Sequence, residues 1–145
     1  IPLRLVGSEM CIRDRVRGCA DAKLVDVARV VAAGLLAAGD NISVCLDPSL
    51  GEGLGRALRS VGVAVTTASD EDWYASLGAS RVRLVGGNPS RAADEADGDP
   101  DLALWANEVT SAPQVELLPF LREQSVSMTA HRFGNPDAGV LSVRL

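Results

Sequence analysis

Residues 42–67, ISVCLDPSLGEGLGRALRSVGVAVTT, decide the fold. Ile42 to Leu46 is a short apolar strand containing Cys45, Asp47-Pro48-Ser49 turns the chain, and Leu50 to Ser60 reads as a helix. Val61 to Thr67 is rich in β-branched residues and returns as a second strand. A strand, a helix and a strand in succession make a βαβ unit. Its two strands run parallel and its crossover is right-handed, because a right-twisted strand packs its helix back on the sheet only that way.

The same alternation continues in both directions. Upstream, Leu24, Val25, Val27, Ala28, Val31, Leu35 and Ala38 fit one stripe of a helix over Asp21–Gly39, with Asp21 as the expected N-cap and Gly39 as the C-cap. The stripe is wide and rich in small residues, which predicts close packing, most simply on a sheet. Downstream, Ser69-Asp70-Glu71-Asp72 is an N-cap followed by acidic first-turn residues, a capping box with Asp in place of Glu, opening a helix through Leu77. Arg81 to Val85 is a third strand, closed by Gly86-Gly87-Asn88-Pro89. Ser90 to Pro100 is acidic and reads as an exposed loop or short helix, and Leu102 to Ala106 is a fourth strand. The expected fold is α/β: a Rossmann-like three-layer domain with a mainly parallel sheet.

The last stretch, Val115 to Asn135, begins with Leu117, Leu118 and Leu121 on one helical face. Pro119 either kinks that helix or starts it. Ser125, Ser127 and Thr129 then alternate with Val126, Met128 and Ala130, the period of a strand with one buried face, before the turn Gly134-Asn135-Pro136-Asp137.

Composition bounds the function. The 145 residues suffice for one domain, with 14 basic against 19 acidic residues, a net charge of −5, and no basic cluster. Nucleic acid and anionic membrane surfaces are therefore not expected partners. Aromatics make up only 3%, too few for a base-stacking platform. The longest apolar run, Val30 to Ala38, falls well short of the roughly 20 residues a membrane-spanning helix needs. Cys11, Cys19 and Cys45 follow no ligand spacing, so a reduced, cytoplasmic setting is expected.

The string LLPFLREQSVSMTAHRFGNP, Leu117 to Pro136, resembles the end of the C-terminal region of bifunctional proline utilization A proteins and related L-glutamate γ-semialdehyde (1-pyrroline-5-carboxylate) dehydrogenases. The likeness is dense there, looser over Asp21 to Asn107, and absent before Val16. It implies a non-catalytic α/β domain spanning 16–138, with 139–145 as a tail. That domain would follow an NAD-dependent aldehyde dehydrogenase module, its partner in the same parent chain, and help enclose the channel through which the intermediate passes. The family's parent enzyme binds NAD, and FAD where a proline dehydrogenase half is present, and is expected to be a homo-oligomer. Carried over by the matching string, Arg122, Glu123, His131, Arg132, Phe133 and Asn135 are the expected interdomain contacts; equally, they would complete the domain's own core. Leu5 to Arg15, LVGSEMCIRDR, resembles translated sequencing-adapter sequence. Residues 1–15 are accordingly expected to be an extraneous or disordered arm, and a chain opening on Ile1 reads as a fragment.

Catalytic chemistry finds little footing. The family's nucleophile lies in a G-Q-x-C context, which neither Cys19 nor Cys45 matches, so no catalytic residue carries over and the fragment alone is expected to be inactive. No cofactor or metal site is expected within it. Gly51-Glu52-Gly53-Leu54-Gly55 invites a phosphate-loop reading, but its third glycine comes one residue too early for G-x-G-x-x-G, and no acidic residue ends the following strand. Gly86-Gly87 lies where ligands approach open α/β sheets, although Gly-Gly-Asn-Pro is commonly a plain turn. His131 is the sole histidine, so a multi-histidine metal site is excluded. The rival to a dehydrogenase domain is a free-standing nucleotide- or small-molecule-binding module using one of these two glycine segments.

Overall fold

A computed structural model of the protein describes residues 14–78 and 80–121. Five strands form one sheet, every neighbouring pair parallel: β1 (Asp14–Gly18), β2 (Ile42–Leu46), β3 (Ala64–Thr67), β4 (Ser80–Val85) and β5 (Leu102–Trp105), in the order β3-β2-β1-β4-β5. The helices are α1 (Leu24–Ala38), α2 (Glu52–Ser60), α3 (Asp70–Ala75), α4 (Pro89–Ala96) and α5 (Pro113–Leu117). The chain steps outward from β1 to β3, then returns to β4 on the other side of β1. Because parallel crossovers share one hand, that reversal sends successive helices to opposite faces. The three-layer α/β expectation holds.

On the first face Val16, Val44, Leu46 and Val85 meet Val27, Val30 and Val31 of α1, Leu58 of α2 and Phe120, all buried. The small residues of α1 allow this closeness: a Cβ on Gly34 would stand 3.0 Å from the Phe120 ring. On the second face Val82 and Leu84 meet Trp73 and Tyr74 of α3 and Ala92 of α4. Trp73 and Tyr74 pack edge to face, 5.1 Å between centroids.

Several boundaries differ from expectation. β1 begins inside the stretch set aside as extraneous: Asp14 is buried and pairs with Arg81 at 3.6 Å, so 14 and 15 belong to the fold. That strand, at the centre of the sheet, was set aside with residues 1–15 because Leu5 to Arg15 resembles foreign sequence, and arginines alternate with its apolar residues. α1 starts at Leu24 after Lys23, and the Asp21 side chain goes elsewhere. Gly62, at φ +89°, ends the α2 turn and delays β3 to Ala64. Ser69 Oγ does accept the Asp72 N–H, at 3.2 Å, as the capping pattern requires. Ser90–Pro100 opens as a helix, seeded by Pro89 and capped by Asn88. The helical face expected from Val115 through Leu121 is α5 followed by a 3₁₀ turn, Leu118–Phe120, that contains Pro119. The strand expected at 125–130 lies outside the described residues.

The loop between β5 and α5 is organised by a buried ion pair. Arg83 on β4 donates to Glu116 Oε2 at 3.1 Å and to the carbonyls of Asn107 at 2.8 Å and Trp105 at 3.3 Å. The other Glu116 oxygen accepts the Thr110 N–H at 2.8 Å. Truncating Glu116 leaves a buried guanidinium without its carboxylate, a loss of about 3–5 kcal/mol. Glu116→Ala should therefore lower the urea midpoint by that equivalent, and a loss under about 1 kcal/mol would contradict the assignment.

Candidate functional site at the switch point of the sheet

In open parallel sheets the place for a ligand is the crevice beyond the carboxyl ends of the strands where the order reverses. Here that is the space between the loops after β1 (Gly18) and β4 (Val85). The two loops are drawn together: Cys19 N–H donates to Val85 O at 3.0 Å, and Gly87 N–H donates to Asp21 Oδ1 at 2.7 Å. The second bond is where the Asp21 side chain goes instead of capping α1. Gly86 and Gly87 lie at φ +72° and +75°, and both must lack a Cβ. One on Gly86 would stand 2.7 Å from Asp21 Oδ1; one on Gly87 would stand 2.6 Å from Cys19 Sγ and 2.8 Å from the Tyr74 hydroxyl. Gly-Gly-Asn-Pro is thus a turn, as commonly found, but one shaped by close approach. Tyr74 Oη accepts the Asn88 N–H at 3.0 Å, and Asn88 caps α4 through bonds from Ser90 and Arg91 N–H.

Arg17, the penultimate residue of β1, is fully buried on the second face. Its Nη2 lies 2.6 Å from Asp70 Oδ1 and 3.7 Å from Asp47 Oδ2. Its Nη1 donates to Ala68 O at 2.9 Å and to Cys45 Sγ at 3.2 Å, and the guanidinium stands 5.3 Å from the centre of a Trp73 ring. The other Asp70 oxygen accepts the Ala20 N–H at 3.3 Å. Burial alone would lower the Arg17 pKa, but the Asp70 carboxylate and the Cys45 sulfur outweigh it and raise it. Asp47 is held below the usual carboxylate range, first by the Ser49 hydrogen bonds. Cys19 is driven the other way: burial, then the charge of Asp70, pushes its thiol up to about 11.

These contacts decide what the crevice can hold. A dinucleotide site offers free backbone N–H groups to a pyrophosphate. In this crevice Asp21 and Asp70 already take the Gly87 and Ala20 N–H groups, and their charges repel an incoming phosphate. Cys19 is a buried neutral thiol. The segment Gly51–Gly55 does not form the dinucleotide turn either: Gly51 N–H donates to Pro48 O at 3.2 Å, while Gly53 and Gly55 lie within α2.

A second hollow, of about 640 Å³, lies on the second face of the sheet beside α3, between Arg15, Ser43, Cys45, Thr66, Trp73 and Ser80 among others. Cys45, expected within a short apolar strand, is half-buried, lines this hollow and accepts from Arg17. Arg17 was not among the expected site residues. Its signal was present twice, as Arg15-Val16-Arg17 and Arg81-Val82-Arg83, charges alternating with valine at the strand period. The expected contacts Arg122, Glu123, His131, Arg132, Phe133 and Asn135 lie outside the described residues. Among the described residues no group of three or more His, Cys, Asp or Glu could hold a metal, and no helix is long and apolar enough to cross a membrane.

Two outcomes follow from the packing around Cys19. Gly87→Ala should cost about 2 kcal/mol or more, since it combines a left-handed backbone with a close contact; a neutral effect in urea denaturation would contradict the geometry. The thiol pKa, about 11 against 9.0 when unperturbed, is raised on folding. Stability from the protonated thiol is therefore complete below pH 9 and lost as pH rises through 11, on the order of 3 kcal/mol. Cys19→Ala should show a shallower alkaline fall in stability than the wild type, and parallel curves would exclude the effect. No protein-family profile, curated protein or solved structure matches this chain.

Proposed function

We propose that this chain is the non-catalytic C-terminal α/β domain of an NAD-dependent 1-pyrroline-5-carboxylate dehydrogenase of cytoplasmic proline catabolism. In this reading it supports the assembly and walls the channel of the intermediate, while the parent's aldehyde dehydrogenase module holds NAD and the cysteine nucleophile. The observation carrying the proposal is the self-sealed switch point: a nucleotide-type sheet whose ligand crevice is occupied by Asp21, Asp70 and Cys19. The resemblance of Leu117–Pro136 supplies the family.

A second feature supports a docked rather than solitary role. Val115, Leu118 and Leu121 are 39%, 51% and 47% exposed at intervals of three residues, while Phe120 is buried against the core. They form an apolar stripe that runs directly into the string carrying Arg122, Glu123, His131, Arg132, Phe133 and Asn135. An exposed row of this kind is the sort of surface another module covers.

Reconstitution tests the reading. The full chain is mixed with a related dehydrogenase truncated before its matching C-terminal region, and NAD-dependent oxidation of 1-pyrroline-5-carboxylate is assayed. Restored turnover is expected, and Leu118→Asp should weaken it by roughly tenfold, the loss of one anchoring contact. No association and no change in turnover, with the chain folded, would refute the proposal. A rise in melting temperature with NAD alone would favour a free-standing nucleotide-binding module.

A further inference from the structure

Parallel sheets are ordinarily covered on both faces. Strand register arranges the second face of this sheet in two rows. The row nearer the carboxyl ends, Leu84–Arg17–Cys45–Thr66, runs under Trp73. The next row, Val82–Arg15–Ser43–Ala64, runs along the floor of the 640 Å³ groove, with Ser80 at its base. Arg15 is exposed although it sits in the central strand.

The groove has a distinct chemistry. Among the described residues its walls include no Asp or Glu, in a chain that has 19 acidic residues. Arg17 is already neutralised, whereas Arg15 has no ion pair among the described residues. Ser43 and Thr66 also keep their hydroxyl protons free of described partners. Ser76 and Ser80 have used theirs, on Trp73 O at 2.8 Å and Gly78 O at 3.0 Å, and so present only lone pairs. Trp73 and Leu77 add an apolar wall. The volume is that of a small-molecule site.

We propose that this groove binds a small organic carboxylate, its carboxyl held by the Arg15 guanidinium and the Ser43 hydroxyl, its donor groups facing Ser76 and Ser80. A planar carboxylate suits one guanidinium, which it can engage through two parallel bonds. A phosphate would call for a cluster of backbone N–H groups or a second free cation, and among the described residues the groove lining includes no such cation. The site is separate from the switch point and does not rest on the proposed function.

Cys45 reports on the site, because its sulfur lines the groove one row from Arg15. Iodoacetate carries a carboxylate beside its reactive carbon, and iodoacetamide is its neutral counterpart. In both, the thiolate forms the S–C bond as iodide leaves. Alkylation of Cys45 in the full-length chain would be followed peptide by peptide by mass spectrometry. The iodoacetate-to-iodoacetamide rate ratio should exceed that of the urea-unfolded chain by about tenfold, the effect of one nearby unscreened cation. Arg15→Gln should abolish the excess, Arg15→Lys should retain part of it, and succinate should protect Cys45 in the wild type only. The exposed position of Arg15 makes both variants compatible with folding, which a thermal melt would verify. A ratio equal to that of the unfolded chain, or one indifferent to Arg15→Gln, would overturn the proposal. So would a Cys45 inert to both reagents, or one protected by an acidic peptide but not by succinate.

Discussion

A guanidinium buried in the central strand cannot remain without a counter-charge, and the placing of Arg17 constrains everything at the carboxyl end of the sheet. Its guanidinium stands against Cys45 and the Trp73 ring, and its charge requires Asp70, Asp47 and the Ala68 carbonyl. Those groups belong to the turns after β2 and β3. Satisfying Arg17 therefore folds both turns over the end of β1. Asp70, once there, has a second oxygen to spend, and it takes the Ala20 N–H. The loss of a free phosphate cradle is thus a consequence of how the core charge is neutralised. Asp21 completes the closure from the other side through Gly87.

Arg83 repeats this arrangement on the opposite face. In the register of β1 and β4, Val16 stands beside Arg83 and Arg15 beside Val82. The two Arg-Val-Arg strands are therefore out of phase, and each face receives one buried arginine with one acid as its principal partner: Asp70 for Arg17, Glu116 for Arg83. Buried pairs of this kind contribute modest net stability, since desolvation offsets the attraction, but they penalise any register that separates the partners. A one-residue slip of either strand would turn its arginines to the wrong face. The fourth arginine of the set, Arg81, donates to the carbonyls of Pro119 and Leu121 and so holds the α5 turn against the base of the sheet.

The layered α/β class was legible because β2, α1 and α2 carry their periods in apolar residues and β4 closes on Leu84-Val85 before a glycine turn. β1 was not, since its strand period is written in arginines and its first residues resemble foreign sequence. The helix from Val115 was overestimated because Leu117, Leu118 and Leu121 keep a helical interval across Pro119, which tightens the last turn to 3₁₀. The candidate site was half visible. Gly86-Gly87 marked the right loop, but its partners lie 14 to 66 residues away in sequence, Tyr74 and Asp21, and no local pattern announces them. Asp70 was seen as a first-turn acid on α3; that its carboxylate also neutralises Arg17 follows only from the order of the strands.

The central claim is that Arg17 and Asp70 act as one unit that closes the sheet. A double-mutant cycle with Arg17→Met and Asp70→Asn, read by urea denaturation of the full chain, measures it most directly. Asp70→Asn alone leaves Arg17 under-neutralised and should be costly, while the same change made in Arg17→Met should cost much less. The expected coupling is about 2 kcal/mol, within the range for residues sharing one network. Additive effects within about 0.5 kcal/mol would contradict the account, leaving Arg17 as a residue merely accommodated by the fold.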